Sequence, residues 1–268
     1  MLKGVRCAVL GDPISHSLSP VVHRAAYEAT GLDWSYDAVR VPAGGLADHL
    51  AALDGSWRGL SLTMPLKREA MPLADTVSPR AALVGAANTL VLVDGELHAD
   101  NTDLPGAAAA IRERYDGPVT AATVLGAGAT AASVGLALCD LGARSLLLLA
   151  RDPARATETL SAIERHPDGP RVEVGSLTHG RPRGEVLAST IPAAAQDAEL
   201  VARCADVQVL FEVLYDPWPT PIAATAEGRV LVSGLDLLVH QAALQFSIFT
   251  GLPAPVSRMR HAGLQALE

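Results

Sequence analysis

Short apolar segments alternate with amphipathic segments along most of the chain. VRCAVL at 5–10 is typical of a buried strand, and residues 21–29 place apolar side chains at helical spacing before Gly31, which suits a helix C terminus. The same patterns predict strands at 34–41 and 58–63, a helix at 46–53, and a hairpin over 88–101 that turns at Asp94-Gly95.

The pattern starts again near residue 119. VTAATVL at 119–125 predicts a buried strand, a helix follows through Leu141, and SLLLLA at 145–150 predicts the next strand. A helix is expected after Asp152, and the sequence pattern is strongly helical from Asp236 onward. Later strands are predicted in RVEVG, VLAST, VQVLFEV and RVLVSG. Strands that alternate with helices imply mostly parallel sheets with both faces covered.

Net charge, aromatic content and cysteine usage limit the partners and the compartment that we expect for this protein. The 268 residues carry a net charge of −8 and only 4% aromatic residues, which argues against nucleic acid and anionic membrane surfaces as partners. Residues 117–139 lack charge and are long enough to span a bilayer, but Pro118 and the glycines favour a buried strand, turn and helix. Three distant cysteines, no metal-ligand spacing and no signal peptide favour a reduced cytoplasmic protein without a metal.

A glycine-rich turn, GAGATA at 126–131, joins the strand at 119–125 to the next helix and fits the pattern G-x-G-x-x-G/A. Gly126 allows the tight turn, Gly128 lets the backbone approach a pyrophosphate, and Ala131 permits close helix–sheet packing. The free N–H groups of the helix N terminus suit phosphates. The turn therefore predicts a dinucleotide site that comprises Gly126, Ala127, Gly128, Ala129, Thr130 and Ala131. The alternative is a turn that serves packing alone.

The segment after the second strand of this half indicates the kind of dinucleotide. An NAD site usually places an acidic residue at the end of that strand, but here the strand ends at Ala150 and continues as RDPAR. Arg151 and Arg155 can clamp a 2′-phosphate, so we expect NADP. Asp152 is better interpreted as a helix N-cap before Pro153 than as a ribose ligand. The alternative is that both arginines are solvated surface residues.

The first half of the chain places polar residues at the ends of its apolar elements. Ser17 and Ser19 follow the first strand, and Ser61, Thr63 and Lys67 lie in SLTMPLK. Asn88 in GAANTL and Asp103 in DNTD complete the set. Ligands of open α/β sheets bind outside the carboxyl ends of the strands. These groups suit a small, polyhydroxylated, anionic substrate.

Seven segments together make the chain similar to a known family. They are GDPISHSLSP, SLTMPLK, GAANTL, DNTD, GAGATA, YDPWPTP and GLDLLVHQAA. In this order they resemble the shikimate dehydrogenase family over nearly the whole length. The resemblance implies that Lys67 and Asp103 are the catalytic pair and that Ser17 and Ser19 bind the substrate carboxylate. It further assigns Ser61, Thr63, Asn88, Tyr215 and Gln241 to the substrate, and Thr190 and Gly234 to the cofactor.

Some positions depart from the family pattern or permit a simpler interpretation. Ser61 stands where many members have Asn, and Asp236 lies where Gly is frequent; Ala129, Ala150 and Leu104 also differ. Lys67 can be a solvated lysine. Asp103 can cap a helix that begins near Pro105, Ser19-Pro20 can cap the first helix, and Gln241 can lie on a helix surface.

The sequence thus predicts an α/β protein of two domains. A discontinuous substrate domain comprises residues 1–103 and the C-terminal helices at 235–268, a Rossmann-like NADP domain comprises 104–234, and the active site lies in the cleft between them. The implied activity is reversible NADPH-dependent reduction of 3-dehydroshikimate to shikimate by a monomer or homodimer, with Lys67 supplying a proton and Asp103 orienting it. The alternatives are an NAD-dependent quinate/shikimate dehydrogenase and a non-catalytic nicotinamide-binding sensor.

Overall fold

A computed structural model describes residues 4–268. These residues divide into two compact units, the first formed by the residues up to Thr102 together with Leu238–Glu268, the second by Asp103–Leu237. Strands and helices alternate along the chain, and the described residues form two six-stranded sheets. The predicted α/β class is therefore confirmed.

The first unit contains a mixed sheet. Its strands are β1 (Val5–Gly11), β2 (Trp34–Arg40), β3 (Trp57–Leu62), β4 (Thr76–Val77), β5 (Thr89–Val93) and β6 (Glu96–Asp100). Their order is β2-β1-β3-β5-β6-β4. β1 runs parallel to β2 and β3, whereas β5 runs antiparallel to both β3 and β6. The helices are α1 (Ser19–Thr30), α2 (Leu46–Ala51), α3 (Pro79–Val84), α9 (Val256–Gln265) and the part of α8 (Gly234–Thr250) from Leu238 onward.

Local sequence explains the turns of this unit. α1 ends because Gly31 adopts a left-handed conformation with φ 68°, and the β5–β6 hairpin turns at Asp94 and Gly95 with φ 52° and 86°. Both turns fall where the sequence predicts them. Inward-facing aliphatic residues of neighbouring strands, among them Leu10, Leu60, Leu62 and Leu90, form the core beneath the sheet.

The second unit contains a fully parallel sheet. Its strands are β7 (Ala121–Leu125), β8 (Ser145–Ala150), β9 (Arg171–Ser176), β10 (Val186–Ser189), β11 (Val209–Glu212) and β12 (Val230–Val232). Its helices are α4 (Asp103–Arg114), α5 (Ala129–Asp140), α6 (Thr157–Glu164) and α7 (Ala198–Arg203). The strand order is β12-β11-β10-β7-β8-β9. A strand order that reverses direction beside the first strand of the unit is the doubly wound arrangement of dinucleotide-binding sheets.

Four features differ from the sequence-based prediction. Ser19 is the first residue of α1 and not its cap, because Leu18, with helical dihedral angles, occupies the N-cap position without a side-chain cap bond. The helix expected after Asp152 begins as a 3₁₀ turn, Pro153–Ala156, before α6. α4 begins at Asp103 and not near Pro105. The two-residue strand β4 and the six-residue helices α3 and α7 are not predicted, because such short segments carry little periodic signal.

The uncharged segment at 117–139 forms β7, the glycine turn and most of α5, as predicted. No helix in the described part of the chain has the length and apolar character that crossing a bilayer requires. Cys7, Cys139 and Cys204 are all buried free thiols. Burial raises the pKa of the Cys7 thiol to about 11, so this thiol stays protonated near neutrality.

Candidate active site

The carboxyl ends of β1 and β3 are held together at one edge of the first sheet. The Thr63 N–H donates to the Leu10 carbonyl at 2.9 Å, and the Asp12 N–H donates to the Met64 carbonyl at 2.9 Å. A Cβ atom at Gly11 would lie 2.3 Å from Thr63 Cγ2, so this glycine is required by close approach. The loop after β1, which carries Ser17, and the loop after β3, which carries Lys67, therefore leave the same edge.

Ser17 and Ser19 lie at the N terminus of α1. The Ser17 hydroxyl oxygen accepts a hydrogen bond from the Ser19 N–H at 3.3 Å. Ser17 thus takes over part of the role that the sequence suggested for Ser19, because it satisfies an N–H group of the first helical turn. An anion at this position would meet a helix N terminus and two hydroxyls, the surroundings expected for a carboxylate.

Asn88 immediately precedes β5, whose amino end lies beside the carboxyl end of β3 because the two strands are antiparallel. The Asn88 carbonyl accepts from the Leu62 N–H at 2.8 Å, and the Ala87 N–H donates to the Lys67 carbonyl at 2.7 Å. These backbone bonds bring the main chain of Lys67 and that of Asn88 to the same edge of the first sheet. The predicted partnership of Lys67 with Asp103, the first residue of α4, stays a prediction.

The Asn88 side chain is the centre of a buried polar cluster. Its Nδ2 donates to Thr102 Oγ1 at 2.9 Å and to Gln241 Oε1 at 3.2 Å, and its Oδ1 accepts from the Thr102 N–H at 2.7 Å. Gln241 is 8% exposed, so the alternative of a helix-surface glutamine is wrong. Two of the predicted substrate residues, Asn88 and Gln241, are therefore in direct contact.

Ser61 is also part of this cluster. It is 4% exposed, it accepts a hydrogen bond from the Tyr36 hydroxyl, and its own hydroxyl donates to Gln245 Oε1 at 2.7 Å. The Gln245 Nε2 donates to Thr89 Oγ1 at 2.9 Å and to the Asn88 carbonyl at 3.0 Å. Ser61 thus lies in a hydrogen-bonded layer behind Asn88.

Sequence reasoning did not select four members of this cluster, which are Tyr36, Thr89, Thr102 and Gln245. Thr102 lies within the DNTD segment, Thr89 follows Asn88, and Gln245 is four residues after Gln241 and hence on the same helix face. These spacings were usable signals. Tyr36 gave none, because an aromatic residue in an alternating strand is expected in any core.

The glycine turn of the second unit has the geometry that a dinucleotide site needs. Gly126 has φ 116°, and a Cβ atom there would lie 2.3 Å from Thr190 Oγ1. Thr190 in turn donates through its hydroxyl to the Leu125 carbonyl at 2.7 Å. The residue after β10 therefore packs directly on the turn, which places Thr190 beside the predicted phosphate site.

Gly128 is the N-cap of α5, and within residues 4–268 no atom from another part of the chain lies within 4 Å of the position a Cβ would take. A side chain here would fill the space over the helix N terminus, whereas glycine keeps that space accessible to a pyrophosphate. Ala131 is fully buried, as the motif requires. Thr159, a residue that the sequence analysis did not select, donates to the Ala127 carbonyl at 2.8 Å and holds the turn from α6. These residues fit a dinucleotide.

The residues that are expected to determine specificity for NADP over NAD follow β8. Arg151 and Arg155 are exposed, and within residues 4–268 neither guanidinium has a hydrogen bond or ion pair. The Asp152 carboxylate accepts from the Ala154 N–H at 3.1 Å, so its predicted role as a cap is confirmed. Asp152 therefore has a structural task, and the two arginines stand at the carboxyl end of the strand where a ribose phosphate is expected.

A buried carboxylate supports the loop that carries Tyr215. Glu212, at the end of β11, accepts from the Gln196 side chain, the Thr220 hydroxyl and the Leu214 N–H. Burial raises the pKa of Glu212 above its usual value, although these three donors act in the opposite direction.

Gly234 abuts the same loop. A Cβ atom at this position would lie 2.4 Å from the carbonyl carbon of Leu214, so the start of α8 must be glycine to pass the loop. The predicted cofactor role of Gly234 stays a prediction beside this packing role.

Comparison with known proteins agrees with these features. A family model described as the shikimate dehydrogenase substrate binding domain matches residues 9–90, and one described as the shikimate 5′-dehydrogenase C-terminal domain matches residues 234–262. A shikimate dehydrogenase (NADP⁺) from Moorella thermoacetica is 36% identical over 266 residues, which covers 94% of this chain and 90% of the relative.

Solved structures show the same likeness. The crystal structure of Mycobacterium tuberculosis shikimate dehydrogenase superposes with a TM-score of 0.86 at 38% identity, covering 98% of this chain and 100% of that one. The shikimate 5-dehydrogenase from Thermus thermophilus, in complex with NADP(H) and shikimate, gives a TM-score of 0.82 at 32% identity and covers 98% of this chain and 99% of that one.

The fold and the glycine turn define a dinucleotide-binding protein of the α/β class. The chain belongs to the shikimate dehydrogenase family. The family resemblance drawn from the seven sequence segments is thereby confirmed.

Proposed function

We propose that this chain catalyses the reversible NADPH-dependent reduction of 3-dehydroshikimate to shikimate, in the biosynthesis of aromatic amino acids. The observation that carries the proposal is the polar edge of the first sheet, which carries Thr63, Asn88 and Gln241, the residues that the family resemblance assigns to the substrate hydroxyls. An M. thermoacetica relative named for this NADP⁺-dependent activity is 36% identical. The T. thermophilus structure is described as a complex with NADP(H) and shikimate.

Substrate binding is assigned to the first unit and to the loop after β11. Ser17 and Ser19 offer hydroxyls and a helix N terminus to the substrate carboxylate, and Tyr215 completes that end. Thr63, Asn88 and Gln241 hold the ring hydroxyls, with Ser61 immediately behind them. Hydroxyls and amides in fixed positions suit a rigid, polyhydroxylated ring, because each ring hydroxyl needs both a donor and an acceptor.

Lys67 and Asp103 are assigned to the chemistry. Reduction turns the ring carbonyl oxygen into an alkoxide, which needs a proton. A lysine ammonium supplies that proton or stabilises the charge, and a carboxylate keeps the lysine charged and oriented. In the reverse direction the neutral amine accepts the hydroxyl proton. NADPH, when bound, supplies the hydride.

The cofactor is assigned to the second unit. Gly126, Gly128 and the N terminus of α5 take the pyrophosphate, with Ala127, Ala129, Thr130 and Thr190 lining the turn. Arg151 and Arg155 take the 2′-phosphate of NADP. Gly234 closes the nicotinamide end.

The setting of the protein is also a proposal. Three buried free thiols suit a reducing compartment, so we place the protein in the cytoplasm. Its substrate is a small molecule, and we expect a monomer or a homodimer, which sedimentation velocity at two protein concentrations distinguishes.

Steady-state kinetics of the purified chain test the function. We expect NADP-dependent oxidation of shikimate, with a kcat/KM at least about tenfold higher than for NAD or for quinate, since tenfold corresponds to ~1.4 kcal/mol. Equal or better use of NAD with quinate would replace the proposal with an NAD-dependent quinate/shikimate dehydrogenase. Binding of NADPH without turnover of either acid would indicate a nicotinamide-binding sensor.

A further inference from the structure

A chain of buried hydrogen bonds runs from the middle of β2 to the Asn88 side chain. The Tyr36 hydroxyl donates to Ser61, and Ser61 donates to Gln245 Oε1 at 2.7 Å. The Gln245 Nε2 donates to Thr89 Oγ1 at 2.9 Å, and the Thr89 hydroxyl donates to Asn88 Oδ1 at 2.8 Å. Tyr36, Thr89 and Gln245 are fully buried, so the chain is shielded from water.

The donors and acceptors in this series of hydrogen bonds are arranged in one direction, from Tyr36 toward Asn88. This arrangement determines how the Asn88 amide is oriented. Gln245 must place its oxygen toward Ser61 and its nitrogen toward Thr89, because that nitrogen also donates to the Asn88 carbonyl at 3.0 Å. The Thr89 hydroxyl then donates onward to Asn88, and the Thr102 N–H donates to the same Oδ1 at 2.7 Å. Reversal of the Asn88 amide would set its N–H groups against the Thr102 N–H, which is a fixed donor, and would remove the acceptor of the Thr89 hydroxyl.

The orientation of Asn88 sets that of Gln241. The Asn88 Nδ2 donates to Gln241 Oε1 at 3.2 Å, so the Gln241 oxygen faces inward. One N–H of Gln241 donates to the Leu238 carbonyl at 3.1 Å. The second N–H has no partner within the described residues, which leaves it available to a ligand. Gln241 can therefore present an N–H donor to a substrate oxygen, while its own oxygen is engaged inside the cluster by Asn88 Nδ2 and by the Thr102 hydroxyl at 3.4 Å.

We propose that Gln245 is a positioning residue of the substrate site, which fixes the Asn88 amide through Thr89 and makes Gln241 present an N–H to a substrate hydroxyl. The proposal rests on the proposed function, since it takes Asn88 and Gln241 to be substrate residues. Gln245 itself is fully buried behind them. Its effect must therefore reach the substrate through Asn88 and Gln241.

A kinetic cycle tests the coupling. Gln245→Met keeps a similar volume and removes both amide atoms, and we expect the KM for shikimate to rise about three- to tenfold, the worth of one neutral hydrogen bond. The KM for NADP should stay within about twofold of the wild-type value. If Gln245 acts through Gln241, the KM of Gln241→Ala/Gln245→Met equals that of Gln241→Ala alone. If the KM of the double variant instead rises by the product of the two single-variant factors, the proposal is overturned.

Two further variants guard against a general loss of structure. Thr89→Val breaks the same chain with an isosteric β-branched residue and should reproduce the KM effect of Gln245→Met. Tyr36→Phe removes the hydroxyl that donates to Ser61, leaves the three bonds from Ser61 to Asn88 intact, and should change the KM less than about twofold. An effect of Tyr36→Phe as large as that of Thr89→Val would mean that the chain acts through packing and would contradict the proposal.

Side-chain amide resonances separate this proposal from the proposed function. In ¹⁵N-labelled wild-type protein without substrate, we expect slowly exchanging side-chain amide protons at Asn88, and faster exchange with shifted Asn88 and Gln241 signals in Gln245→Met. Unchanged signals would overturn the positioning role whether or not the protein oxidises shikimate. Shifted signals in a protein that does not turn over shikimate would keep the positioning role and reject the proposed function.

Discussion

Asn88 Nδ2 lies 3.2 Å from Gln241 Oε1, a hydrogen bond between side chains that are 153 positions apart in the sequence. One residue precedes β5 and the other lies on α8. The bond ties the C-terminal helical segment to the first sheet and brings two predicted substrate residues into contact. A truncation before α8 would therefore remove part of the candidate site as well as part of the fold.

Lys67→Ala should lower kcat for shikimate oxidation by about 10²- to 10⁴-fold, because the reacting hydroxyl loses the amine that accepts its proton. The KM for shikimate should change far less, since binding is assigned to other side chains. Rapid-quench or steady-state assays with saturating NADP measure both constants. A kcat near the wild-type value would remove Lys67 from the mechanism.

Asp103→Asn keeps the shape of the side chain and removes its charge. It should also lower kcat, because a neutral amide stabilises an ammonium less well. If Asp103 acts through Lys67, the double variant Lys67→Ala/Asp103→Asn has the same kcat as Lys67→Ala. Independent, multiplying losses would show that the two residues do not work as a pair.

Ser17→Ala and Ser19→Ala should both raise the KM for shikimate, but only Ser17→Ala should lower stability. Ser17 Oγ accepts the Ser19 N–H, whereas Ser19 makes no side-chain cap bond. We expect a loss of about 0.5–1 kcal/mol for Ser17→Ala, the worth of one partly exposed hydrogen bond. Urea denaturation measures this difference. A larger destabilisation by Ser19→Ala would restore the cap that the sequence suggested.

Arg151→Ala should raise the KM for NADP at least about tenfold, because charge-assisted bonds to a phosphate are worth about 1.5–3 kcal/mol each. The KM for NAD should change little. Arg171→Ala is the matched control, because Arg171 begins β9 beside the first residue of β8, at the end of the sheet opposite to Arg151. It removes the same charge and should leave both constants unchanged. If both variants raise the KM for NADP equally, Arg151 acts only through the net charge of the protein and not through a bond to the phosphate.

His23→Phe should make the protein more resistant to acid. The His23 ring is fully buried and stacks on Tyr36 with centroids 4.1 Å apart, and neither of its nitrogens has a hydrogen-bond partner among residues 4–268. Burial lowers its pKa from 6.5 to about 3. Gln245 acts weakly in the opposite direction, but both of its amide atoms are engaged by other residues.

The sign of this effect follows from proton binding. Between about pH 6.5 and 3 the unfolded chain binds a proton at His23 and the folded chain does not, so acidification favours unfolding. From about pH 7 to 5, the unfolding free energy of the wild type should fall by about 2 kcal/mol more than that of His23→Phe. Urea titrations at both pH values measure the difference. Parallel losses in the two proteins would mean that His23 is protonated in the fold.

Local signals predicted much of the fold, whereas the position of the active site stays a prediction. The hairpin at Asp94-Gly95, the helix end at Gly31 and the glycine turn at Gly126 each have a backbone requirement that a few residues express. The cap of α1 was misplaced, because Ser-Pro is a common start signal and Leu18 is an unusual N-cap.

The part that sequence reasoning missed depends on tertiary contacts. The bonds from Tyr36 to Ser61 and from Ser61 to Gln245 join residues 25 and 184 positions apart. No local pattern encodes such pairs, since a buried polar residue is indistinguishable from an exposed one until its partner is known. The family resemblance located Asn88 and Gln241, but the layer behind them needed the structure.

Transfer of deuterium from the cofactor to the substrate is the direct test of the proposed reduction. The purified chain is incubated with 3-dehydroshikimate and NADPH that carries deuterium at the transferable position of the nicotinamide, and the product is examined by mass spectrometry and NMR. We expect shikimate with one carbon-bound deuterium, at the carbon that was the ketone. The absence of shikimate, or shikimate without that deuterium, would contradict it.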